Sequence, residues 1–135
     1  MRTLFVLFAS LLVGCSSYDL TTPSQESLTG KWNLVSVNGN SLPYGAPQVG
    51  SNKQEVVEDV LTLTAPNTFT EVTTLQNTQN GQVSTSTITD SGTYDFNSYV
   101  VNFHFQSNGS TGSATLTGRT MEVLTSGVKF SYKKQ

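Results

Sequence analysis

Cysteine and histidine each occur once, as Cys15 and His104. A lone thiol can serve as a nucleophile or an acyl acceptor, and a lone imidazole as a proton shuttle. Neither has the converging partners that a metal site or a catalytic dyad needs. His104 alternates with Phe103 and Phe105 and shares its parity with Asn102 and Gln106, a polar face that reads as solvent-exposed. Glu55, Glu58 and Asp59 are the densest acidic group. On a strand Glu58 and Asp59 point to opposite faces and cannot chelate together, so this group reads as a solvated strand edge. No metal or cofactor site follows. The chain also lacks G-x-S-x-G, a Walker loop and G-x-G-x-x-G, so the expectation is a protein that is not an enzyme.

Cys15 draws its meaning from its surroundings. Arg2 is followed by the apolar run Leu4 to Val13 (LFVLFASLLV). Ten helical residues rise about 15 Å, half of a roughly 30 Å hydrocarbon core, so the run is too short to span a membrane and reads as the core of a secretory signal. Leu12-Val13-Gly14-Cys15 resembles the bacterial lipobox. That resemblance implies cleavage before Cys15, diacylglycerol on its thiol and an acyl chain on its new amine. Each buried CH₂ contributes about 0.8 kcal/mol, and stable anchoring takes more than one chain. Ser16 rather than Asp follows the cysteine, which by resemblance to Gram-negative lipoproteins implies the outer membrane. Residues 1–14 are then a signal peptide. Residues 15–28, rich in Ser, Thr, Pro and Gln and without period, read as a lipidated cysteine and flexible tether. A single domain occupies residues 29–135.

Composition agrees with one such domain. The chain has 135 residues, of which 12% are charged, with 7 Lys+Arg against 9 Asp+Glu. No basic excess exists to neutralise phosphates, which argues against a nucleic-acid partner. About two residues in five are Ser, Thr, Asn or Gln, yet aromatics reach 10%. That balance suits half-buried antiparallel strands that face water on one side.

Eight strands are expected, near residues 30–38, 56–64, 68–76, 83–96, 99–105, 111–117, 120–125 and 128–133. The clearest alternation sets Tyr99, Val101, Phe103 and Phe105 against Val100, Asn102, His104 and Gln106. Tight turns fall at 65–67, 97–98, 118–119 and 126–127, and longer connections at 38–54, 77–82 and 106–110. Consecutive hairpins favour an up-and-down meander. Because connections alternate between the two ends of the sheet, one end is laced by tight turns and the other carries most of the irregular chain. An eight-stranded barrel of this kind is a cup, its interior either filled by side chains or holding one small ligand.

Leu28-Thr29-Gly30-Lys31-Trp32-Asn33-Leu34-Val35-Ser36-Val37-Asn38-Gly39, with Leu42-Pro43 and the later Ser91-Gly92-Thr93-Tyr94, resembles bacterial lipocalin-like domains. The likeness spans roughly residues 28–133. It implies an all-β, eight-stranded antiparallel up-and-down barrel in which Trp32 packs across the closed end, under a basic side chain from the far end of the chain, Arg119 or Lys133. The chain is shorter than typical lipocalins and lacks their disulfide and terminal helix, which argues against their large cavity. The resemblance implies non-enzymatic binding of a small apolar or amphipathic molecule. The competing expectation is a structural or protein-interaction module of the cell envelope with a solid core. Phe69, Tyr94, Phe103, Phe105 and Tyr132 fall on inward positions, where they either pack the core or line a pocket. Tyr44, in the long 38–54 connection, is expected to fold over the open end as a lid, against Phe105 or Leu124.

Overall fold

β-Branched and aromatic residues alternate with polar ones from Gly30 to the C-terminus, and the chain is extended over nearly all of that length. The computed structural model describes residues 23–45 and 52–135. Residues 1–22, which hold the expected signal, Cys15 and the first part of the expected tether, lie outside the described residues, as do Pro47, Val49 and Gly50 of the long connection.

The eight long strands are β1 (Gly30–Val37), β4 (Lys53–Thr64), β5 (Thr68–Gln79), β6 (Gln82–Asn97), β7 (Val100–Phe105), β8 (Thr111–Thr117), β9 (Thr120–Thr125) and β10 (Val128–Lys134). The two-residue strands β2 (Asn40–Ser41) and β3 (Tyr44–Gly45) pair at the rim with β1 and β4. From β4 to β10 each strand pairs antiparallel with the next, and β1 closes the circle by pairing with both β10 and β4. The result is a closed eight-stranded up-and-down barrel. The β1–β4 seam covers only Gly30–Asn33 against Val60–Leu63. Beyond it the two strands part and the mouth opens.

Period-two burial sorts the side chains. In β8 the pattern buries Gly112, Ala114 and Leu116 and exposes the threonines and serine between them. The lower interior is filled by Trp32, Leu61, Leu63, Phe69, Tyr94, Val101, Phe103 and Met121. Phe69 meets both Phe103 and Phe105 edge to face, with ring centroids 5.2 Å apart in each pair. Gly92 makes room for that cluster. A Cβ there would stand 2.8 Å from the Phe69 ring and 2.0 Å from the His104 carbonyl oxygen.

The closed end departs from the sequence expectation in two ways. Residues 24–28 are not all tether: Ser24 caps a single helical turn, α1 (Gln25–Leu28), by accepting from the Ser27 N–H at 3.2 Å. Leu28 at its end is fully buried, and its carbonyl accepts the Trp32 indole N–H at 2.9 Å. Gln25 bonds the Pro66 carbonyl and Lys134 the Ser27 carbonyl, which strap α1 across the opening. The basic side chain over the indole is Lys134, 5.8 Å from the ring centroid, rather than Arg119 or Lys133. Parity is the reason. Trp32 and Lys134 are Cα partners across the β1–β10 ladder, whereas Lys133 faces out. Arg119 instead donates to the Lys134 carbonyl at 3.2 Å.

The expected loop at 77–82 is also absent. Asn80 and Gly81, at φ 49° and 79°, form a two-residue hairpin turn closed by the Gln79–Gln82 pair. β5 and β6 therefore run on past the end of β7, which pairs with β6 only from Gly92 to Asn97.

Candidate functional site

Inward parity continues up the walls beyond the apolar layers, but the residues change character. On β4 the face that carries Leu63 and Leu61 next presents Asp59, on β5 Phe69 is followed by Glu71 and Thr73, and on β6 Tyr94 and Gly92 are preceded by Asp90. Register brings them together: Asp59 lies opposite Thr73, and Glu71 opposite Asp90. Leu34, Val56, Phe105, Val123 and Phe130 complete the wall. They enclose with the acidic side a cavity of about 310 Å³ at the open end. That is the small end of the range for ligand sites. A broader depression of about 450 Å³ lies on the outer wall beside His104 and Asp95. His104 Nε2 stands 3.0 Å from Asp95 there, both side chains exposed.

The Tyr132 hydroxyl links the acidic groups, 2.9 Å from Glu71 Oε1 and 3.2 Å from Asp59 Oδ1. Thr73 donates to Asp59 Oδ2 at 2.6 Å, and Ser107 and the Ser91 N–H both donate to Asp90 at 2.7 Å. Burial pushes the Glu71 carboxyl up to about 7, helped by the nearby charges of Asp59 and Asp90 and opposed by the Tyr132 hydrogen bond. Burial likewise raises Asp59 against the hydrogen bonds from Thr73 and Tyr132, and it raises the Tyr132 phenol, with Glu71 and Asp59 adding to the effect. A phenol has one hydrogen and can donate to one carboxylate at a time. The second contact is satisfied when Glu71 is protonated and donates to the phenol oxygen. Near neutral pH Glu71 therefore passes between its protonated and ionised forms. Among the described residues, no group of three His, Cys, Asp or Glu side chains is arranged to hold a metal ion.

Of the residues read from the sequence as pocket candidates, Tyr132 and Phe105 line the cavity. Phe69, Tyr94 and Phe103 lie below it as core. Tyr44 is half-buried, hydrogen-bonded in β3 opposite Val56 and packed on the core cluster; the cavity lining does not include it. Leu124 faces out and is 57% exposed, so it offers no seat for a lid. Asp59 corrects the reading of a solvated edge, being buried, while Glu58 on the opposite face is exposed. Glu71, Asp90 and Thr73 were not singled out by sequence, although each is in phase with an inward apolar residue of its own strand.

Comparison with protein-family models, with curated proteins and with solved structures finds no match to this chain. The functional reading rests on the barrel and its mouth.

Proposed function

We propose that the protein is a lipocalin-like lipoprotein, held by acyl chains on Cys15 at the outer membrane, that binds a small amphipathic molecule in the mouth of its barrel without chemical change. The observation that carries this reading is the two-sided cavity, with apolar walls from Leu34, Val56, Phe105, Val123 and Phe130 and an acidic side from Asp59, Glu71 and Asp90. Ionised carboxylates only accept hydrogen bonds. A ligand that fits therefore sets an apolar body on the wall and turns a donor-bearing end, an amine or a hydroxyl, toward the acidic side. Native mass spectrometry of the lipidated protein from membranes tests the proposal. A co-purifying molecule of that chemistry supports it.

A second reading, a structural or protein-interaction module of the envelope, draws on the solid lower barrel, where Trp32, Tyr94, Phe103, Leu63 and Met121 are fully buried. An empty mouth in the native protein, with a protein partner retained instead, favours that reading.

A further inference from the structure

Among the described residues, the hairpin of β5 and β6 leaves one long sheet edge without a neighbour. β6 pairs with β7 only from Gly92 onward, and on that side Ser91 is the last residue held, its carbonyl accepting the Gln106 N–H at 2.9 Å. From Gln82 to Thr89 every residue is exposed, and among the described residues no strand pairs with this side. Because the Ser91 carbonyl points outward from the hairpin, alternation turns the N–H and C=O groups of Thr89, Thr87, Thr85 and Val83 to the same free edge. Natural edges are guarded by charge, proline, bulges or brevity. This one has none of those guards: Gln82-Val83-Ser84-Thr85-Ser86-Thr87-Ile88-Thr89 carries no charge and no proline, and the β5–β6 register runs without a shift.

We propose that two copies of this chain pair through these edges, antiparallel about a two-fold axis at Ser86. That register sets Thr85 opposite Thr87 and Val83 opposite Thr89, the positions whose backbone groups face out, so each pair exchanges two hydrogen bonds. Ser84 falls opposite Ile88. Asp90, the nearest charge, falls opposite Gln82, so no like charges meet. Threonine pairs and the absence of opposed charge both favour cross-strand contact. The interface is isologous and uses the free edge of each copy, so assembly closes at two. The occupant is a second copy because the edge is complementary to itself, with Thr85 on Thr87 and no charge opposed to a like charge. The pairing joins the two hairpins into one continuous sheet and does not depend on whether the mouth binds a ligand.

The full chain in detergent tests this by cross-linking and by mass. On the axis, residue 86 meets itself in a non-hydrogen-bonded pair with Cα atoms about 4.5 Å apart, within the roughly 4.4–6.8 Å that a disulfide spans. Under mild oxidation Ser86→Cys should run mainly as a covalent dimer. The native chain, with Cys15 alone, and Ser84→Cys should stay largely uncross-linked. Ser86→Lys and Ser86→Glu should each be monomeric by light scattering, and their mixture should restore the dimer, a rescue that a loss of folding cannot mimic. Equal cross-linking at residues 84 and 86, or a native chain that stays monomeric at all concentrations, overturns the proposal.

Discussion

The Tyr132 hydroxyl and the Glu71 carboxyl lie 2.9 Å apart on strands β10 and β5, brought together across the barrel mouth from positions 61 residues apart in the chain. Tyr132 also reaches Asp59, so one phenol bridges two carboxyl groups. Tyr132→Phe keeps the ring and removes the link. With Thr73 still on Asp59, the expected cost is about 1–3 kcal/mol, the range for buried polar groups that lose a partner. Urea unfolding at pH 6 measures it. A cost near zero would mean that water replaces the hydroxyl.

Stability should fall as pH rises through neutrality. Glu71 titrates near 7 in the fold and close to 4.3 in an unfolded chain. Between those values the native state holds more protons than the unfolded one. The stability this group favours is full below the unfolded value and lost as pH rises through 7. The slope is at most about 1.4 kcal/mol per pH unit for one group, and Asp59, also raised by burial, adds in the same direction. Glu71→Gln imitates the protonated form and should flatten the decline between pH 5 and 8. An unchanged slope in that variant would place the titrating group elsewhere.

Trp32 joins the closed end together through the Leu28 carbonyl, the Lys134 ammonium and the core below. Trp32→Ala should cost about 3–5 kcal/mol, as large aromatic truncations in cores do. Leu28→Ala should cost about 2–5 kcal/mol by the same argument, although the sequence around it reads as a tether. A loss below about 1 kcal/mol for Leu28→Ala would detach α1 from the domain.

Membrane attachment is proposed to reside in Cys15 alone. Cys15→Ser should leave the chain unacylated and move it from the membrane fraction to the soluble one. An unmodified Cys15 by mass spectrometry, with residues 1–14 retained, would contradict the anchor.

How much of this was legible in the sequence follows from parity. Alternation along β7 and β10 marked the inward faces, and the Gly30-Lys31-Trp32 segment marked the closed end. The same alternation also contained the site. Asp59 is in phase with Leu61 and Leu63, Glu71 with Phe69, and Asp90 with Gly92 and Tyr94. Reading charged residues as outward-facing hid them. That holds where the interior is filled, and fails at the wide end of a barrel, where inward carboxylates meet a cavity. Parity likewise favours Lys134, in step with Phe130 and Tyr132, over Lys133. Asn80-Gly81 carried a hairpin signal that a polar run of Asn, Thr and Gln masked as a loop. What no local pattern supplies is the cross-barrel meeting of Asp59, Glu71 and Tyr132, which depends on how the β4–β5–β6 register aligns with β10.

Binding at the mouth is the central claim, and a fluorescence titration of the Cys15→Ser chain with N-phenyl-1-naphthylamine, an amine on an apolar body, tests it most directly. The account predicts saturable binding of one probe per chain, abolished by Ser110→Trp, which sets a bulky ring at an exposed residue of the cavity lining. Binding that does not saturate, or that Ser110→Trp leaves unchanged, would contradict it.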